Sequence, residues 1–159
     1  MARLIQHKLL DKCLISFHGS DNMSVELDMY AKQNKYTTEH EILAKNDHLF
    51  PLVLNRSSHR DNPVDTQPDD MQYYANSYVS LVSETVFYDQ SLITDFMGGV
   101  FFSEKIYKPI LCKHPFILLC STGALRELRA CGYKTFHPYI DESYDLCQDD
   151  DARMDMLVA

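Results

Sequence analysis

The sequence predicts an α/β protein built on a parallel sheet, and three observations predict it. From Tyr78 to Phe136 the chain reads strand, helix, strand, helix, strand, the order that parallel strands with helical crossovers require. The middle strand, Pro115-Phe116-Ile117-Leu118-Leu119, is continuously apolar, as a strand covered on both faces is. The two helices of that stretch open on small hydroxyl residues, Ser103 and Ser121 or Thr122. The expected architecture is a Rossmann-like sheet with helices on both faces. One domain is expected over residues 1–159, with its best-marked core at 74–145.

The elements follow in chain order. Arg3 to Lys12 reads as a helix with Leu4, Ile5 and Leu9 on one face. Cys13 to Phe17 reads as a short buried strand. Residues 23–50 are mostly polar, with helical pieces near 23–33 and 38–45. Asn55 to Asp70 is the clearest loop, punctuated by Pro63 and Pro68. Met71 to Asn76 reads as a short helix. Ser77 to Val82 is β-rich and ends at Ser83-Glu84-Thr85, and a loop with Gly98-Gly99 leads to Val100-Phe101-Phe102. Ser103 caps a helix whose stripe is Ile106, Tyr107, Ile110 and Leu111. Pro109 inside it kinks or tightens the helix. After the apolar strand, Ser121 or Thr122 caps a second helix, which Gly132 terminates. Tyr133-Lys134-Thr135-Phe136 is predicted as a further strand.

Composition narrows the function. Hydrophobic residues make up 45% and charged residues 24%, a globular balance. No apolar run reaches the roughly 20 residues of a membrane span. Fifteen Lys and Arg stand against 23 Asp and Glu, for a net charge of -8, which argues against a general nucleic-acid binder. The charge is uneven: residues 103–134 carry a net +4 and residues 141–159 a net -6. Cys13, Cys112, Cys120, Cys131 and Cys147 form no CxxC pair, and no apolar stretch of signal-peptide length opens the chain. A cytoplasmic protein without disulfides or zinc is expected.

In an open parallel sheet, ligands bind beyond the carboxyl ends of the strands. Ser83-Glu84-Thr85, Ser103-Glu104-Lys105 and Ser121-Thr122-Gly123 fall at that edge. Two helix N-termini there offer backbone N–H groups to a phosphate or diphosphate. Lys105 lies in the first turn of one, where a cation opposes the helix dipole unless an anion is present. Neither a Walker loop nor a GxGxxG fingerprint occurs. Asp149-Asp150-Asp151 reads as a cap or a solvated run and not as a metal site. Asp141 and Glu142 follow the last predicted strand, placed for sugar hydroxyls or for capping a helix. His114 begins a strand in a structural role, and His137 is a lesser site candidate.

Phe101-Phe102-Ser103-Glu104-Lys105-Ile106-Tyr107-Lys108, with Ser83-Glu84-Thr85 upstream, resembles the donor-binding motif of the α-1,3-fucosyltransferases. In that family an aromatic-Val-Thr-Glu-Lys stretch opens a helix after a Phe-Glu-Asn-Ser segment. The chain is also similar, over roughly Tyr74 to Asp145, to glycosyltransferase-like proteins of phages and giant viruses. The resemblance implies a single GT-B-type half that binds a nucleotide-diphosphate sugar, GDP-linked in the fucosyltransferases, without a metal cofactor. By position Glu104 would bond the ribose hydroxyls and Lys105 would neutralise the diphosphate. Glu84 matches the family's Glu, Thr85 replaces its Asn and Phe101 its Tyr. Arg56 or Arg60 would supply the cation that stabilises the leaving diphosphate. The alternative is a non-catalytic nucleotide- or sugar-phosphate-binding module. At 159 residues the chain holds only one such half, so a carbohydrate acceptor would be met by a second domain or another subunit.

Overall fold

The computed structural model describes residues 1–15, 37–50, 71–87 and 100–158. The chain divides into two compact units, one from Met1 to Asp61 and one from Asn62 to Leu157. The predicted helix at 23–33, the loop at 55–70 and the Gly98-Gly99 turn lie outside the described residues.

In the first unit, α1 (Ala2–Gln6) and α2 (Thr37–Lys45) pack together, and Arg3 and Glu39 are paired at 3.3 Å. The predicted helix to Lys12 is shorter than its periodicity implies. It ends at His7, Lys8 adopts φ 56°, and Leu10–Lys12 forms a separate 3-10 turn. The Lys8 N–H donates to the Ile5 carbonyl at 3.0 Å and the Leu9 N–H to Leu4 at 2.9 Å. That crossed pair around a left-handed residue is the Schellman stop. Cys13, Leu14 and Ile15 pair with no strand, so the described part of the predicted strand at 13–17 is irregular.

The second unit carries the α/β pattern. Its elements are α3 (Met71–Ala75), β1 (Ser80–Ser83), α4 (Glu104–Leu111), β2 (Phe116–Leu119), α5 (Ala124–Ala130) and α6 (Asp150–Val158). β1 and β2 are parallel, with Ser80 opposite Phe116 and Ser83 opposite Leu119. A small mixed helix-and-strand fold with a two-stranded parallel sheet results. Alternating burial along Phe116–Leu119 places Phe116 and Leu118 in a core with Val82, Ile106, Leu125 and Leu128. Ile106 and Leu128 are completely buried. None of the helices is long and apolar enough to cross a membrane among the described residues.

Two helix ends repeat the stop seen at Lys8. After α4, Lys113 takes φ 53°, its N–H donates to Ile110 and the His114 N–H to Pro109. After α5, Gly132 takes φ 90°, its N–H donates to Arg129 and the Tyr133 N–H to Leu128. Glycine adopts this backbone freely, whereas lysine is strained in it.

The predicted third strand is not formed. Tyr133–Phe136 makes no ladder, because its backbone is satisfied otherwise. Glu142 Oε1 accepts the Phe136 N–H at 2.6 Å, and Glu142 Oε2 accepts the Thr135 hydroxyl at 2.8 Å. The outer edge of β2 is likewise closed by a side chain, since the Leu118 N–H donates to the Tyr144 hydroxyl at 3.3 Å.

His114 has the structural role its position implies. Nε2 lies 3.0 Å from the Ser77 carbonyl, which can only accept, so Nε2 carries the hydrogen. Nδ1 then accepts from the Ser80 hydroxyl at 3.0 Å. The acidic run is a helix cap: Asp149 Oδ1 accepts the Ala152 N–H at 2.8 Å. Within α6, Arg153 is 2% exposed. It donates to the Phe87 and Cys147 carbonyls and to Asp150, and lies 4.5 Å from the Phe87 ring centre.

Candidate functional site

The carboxyl ends of β1 and β2 define one edge of the unit, and two helices begin there. A helix start leaves its first N–H groups without intrahelical acceptors, so what fills each start decides what it can bind. The two starts differ.

At α4, Ser103 is the N-cap, as its sequence position predicts. Its Oγ accepts the Lys105 N–H at 3.3 Å. The Ser103 N–H and hydroxyl both donate to Glu84 Oε2, at 3.1 and 2.5 Å. Glu84 directly follows β1 and is 5% exposed. Its carboxylate therefore bridges the end of the strand and the start of the crossover helix. The other oxygen, Oε1, is buried and has no hydrogen-bond partner among the described residues. Lys105 reaches back across the same corner and donates from Nζ to Thr85 Oγ1 at 3.3 Å. Lys105 and Thr85 are exposed, while Phe101 and Glu104 are half-buried. Glu84, Thr85, Ser103 and Lys105 are thus gathered in space although 18 or more positions separate the two pairs.

At α5 the start is already filled. Neither Ser121 nor Thr122 is the N-cap. That position belongs to Gly123, in the left-handed conformation at φ 80° and with no capping side chain. Asp145 supplies the cap from the 3-10 turn Ser143–Leu146. Its Oδ1 accepts the Leu125 N–H at 2.9 Å and its Oδ2 the Arg126 N–H at 3.2 Å. Its carbonyl accepts the Gly123 N–H at 2.8 Å and the Thr122 hydroxyl at 2.9 Å. Asp145 is 3% exposed. A carboxylate of the chain itself occupies the place where the sequence leads one to expect a phosphate. No local signal marks this role, because the cap lies 20 residues from the N–H it accepts.

The two candidate sugar contacts have internal partners. Glu142 binds Phe136, Thr135 and Arg129, the last at 3.0 Å. Asp141 accepts the Ser143 N–H at 2.9 Å, and the backbone and side-chain bonds from Ser143 hold its carboxyl below the usual carboxylate range. His137 is exposed. Arg56 and Arg60 lie outside the described residues. Of the basic island, Arg126 pairs with Glu127 and Arg129 with Glu142.

None of the five cysteines is joined in a disulfide. Cys120, directly after β2, is 2% exposed. Burial pushes its thiol up, and the charges of Glu84 and Asp145 push the same way against hydrogen bonds with Ser121. A thiol so disposed is a small apolar filler and not a nucleophile.

The chain matches no family model, no curated protein and no solved structure. The resemblance to fucosyltransferases rests on the sequence motif alone.

Proposed function

We propose that the protein binds a nucleotide-diphosphate sugar at the carboxyl end of β1, as the donor-binding, Rossmann-like half of a fucosyltransferase-like glycosyltransferase. The observation that carries this reading is the gathering of Glu84, Thr85, Ser103 and Lys105 at one strand end and one helix start. The remaining first-turn N–H groups of α4 and the Lys105 ammonium favour a diphosphate there. Glu104, at the first helical position, and Phe101, two residues before the cap, adjoin these residues in the chain. The β1–α4–β2 unit is the element from which a Rossmann-like half is built.

The chemistry suits these groups. Sugar transfer from a nucleotide donor builds negative charge on the departing diphosphate. A fixed cation and a helix start stabilise that charge more than they stabilise the intact donor. Lys105 is the cation already at the corner, since Arg126 and Arg129 are engaged elsewhere on α5.

Thermal unfolding with GDP, GDP-fucose, GDP-mannose and UDP-glucose tests the reading. A donor at a hundred times its Kd stabilises by about 2.7 kcal/mol, and Lys105→Ala should erase the shift. If no nucleotide raises the melting temperature, donor binding is refuted. Release of free sugar, or its transfer to added glycans, then separates an enzyme from a binding module.

A further inference from the structure

The reading above leaves one atom unexplained. Glu84 Oε1 is buried and accepts nothing from the described residues, although Oε2 of the same carboxylate takes two hydrogen bonds from Ser103. A buried acceptor without a donor is uncommon in folded proteins. Here it lies on the carboxylate that touches the first turn of an eight-residue helix. The corner therefore combines groups that attract an anion with one acceptor lacking a hydrogen. A bare phosphate satisfies the first and is repelled by the second. A hydroxyl beside a phosphate satisfies both.

We propose that Glu84 is a hydroxyl reader, with Oε1 accepting an O–H from the polyol part of a diphosphate ligand while Ser103 fixes Oε2. This inference rests on donor binding at the same corner. In this proposal Lys105 is the group that moves to meet the phosphate. It is exposed and tied to Thr85 by one long bond of 3.3 Å, and an arriving phosphate draws its ammonium away from that hydroxyl. Ligand entry thus exchanges the Lys105–Thr85 bond for a Lys105–phosphate pair and brings a hydroxyl to Oε1. The hydroxyl belongs to the ribose or to the transferred sugar. Both present the same chemistry, vicinal hydroxyls next to a diphosphate.

Calorimetric titration of the full chain with inorganic pyrophosphate, GDP, 2′,3′-dideoxy-GDP and GDP-mannose tests the inference. The companion variant is Glu84→Gln, whose amide keeps an oxygen for Ser103 and turns the second position from acceptor to donor. Hydroxyl-bearing ligands should bind the wild type more tightly than pyrophosphate, and E84Q should weaken them by about ten- to a hundredfold. Pyrophosphate should bind E84Q at least as well as it binds the wild type, because a nearby negative charge is gone. A loss confined to dideoxy-GDP assigns the hydroxyl to the ribose. A gain from GDP to GDP-mannose that E84Q abolishes assigns it to the sugar. If the wild type binds pyrophosphate as tightly as the hydroxyl-bearing ligands, or E84Q keeps their preference, the hydroxyl reader is refuted and anion binding stands. If nothing binds, pyrophosphate included, donor binding and the reader fall together.

Discussion

Removing the Asp145 carboxylate should loosen α5 more than removing an ordinary helix cap. Asp145→Ala deletes the acceptor of two backbone N–H groups. The Leu125 N–H lies in a residue 1% exposed and the Arg126 N–H is part-buried. A buried donor left without a partner costs about 1–3 kcal/mol, and the loss of a helix cap is typically about 1 kcal/mol. Two donors lose their acceptor, one buried and one part-buried, so about 3 kcal/mol is expected for Asp145→Ala. Asp145→Asn keeps one acceptor oxygen and should cost roughly half as much. For a chain of this length, 3 kcal/mol lowers the melting temperature by about 10 °C. Urea unfolding followed by far-ultraviolet circular dichroism, in parallel with thermal melts, measures both variants. If D145A lies within about 0.5 kcal/mol of the wild type, or D145N is as damaging as D145A, the carboxylate does not hold the start of α5.

Tyr144→Phe removes the acceptor of the Leu118 N–H and should cost about 1–2 kcal/mol at neutral pH. Burial pushes the Tyr144 hydroxyl up to about 12, against about 10 in the unfolded chain. Its contribution to stability is whole below pH 10 and is lost as pH rises towards 12. The wild type should therefore lose stability faster than Y144F between pH 10 and 12 in urea titrations, and equal slopes would refute the assignment. Lys113→Gly should raise stability by about 0.5–1 kcal/mol by relieving a strained left-handed lysine, while Gly132→Ala should lower it by about 1 kcal/mol. Opposite signs in thermal melts are the check, and a destabilised K113G would contradict it.

What was legible depended on how far each cause lies from its effect along the chain. Ser103 as a cap and Gly132 as a stop are local rules, and both hold. The apolar run at 116–119 marks a strand whatever lies around it. The stops at Lys8 and Lys113 were hidden, because the usual sign is a glycine and here lysines bear the strain. The cap of α5 was hidden for another reason. Ser121 and Thr122 precede the helix and have the right side chains, but Asp145 arrives from a distant turn with a charge and two oxygens. It outcompetes a single hydroxyl. The strand expected at Tyr133–Phe136 failed similarly, since Glu142 satisfies the Phe136 N–H that a ladder would have used.

The basic island changes meaning once its partners are named. Read from sequence, its cations and two helix starts looked like one anion cradle. In the fold, Arg126 and Arg129 are held by Glu127 and Glu142, and Asp145 fills the start of α5. That leaves the start of α4 with Lys105, and even there Glu84 brings a negative charge beside the cap. Such a corner is a poor trap for a bare anion, because the carboxylate offsets what the lysine and the helix contribute. The ligand proposed above, with its negative charge a few bonds from a hydroxyl, would set phosphate against Lys105 and the hydroxyl against Glu84. Thr85 is bonded to Lys105 and directly follows Glu84 in the chain. On the proposed reading, a ligand phosphate that draws Lys105 away from Thr85 would couple charge recognition to hydroxyl recognition at Glu84.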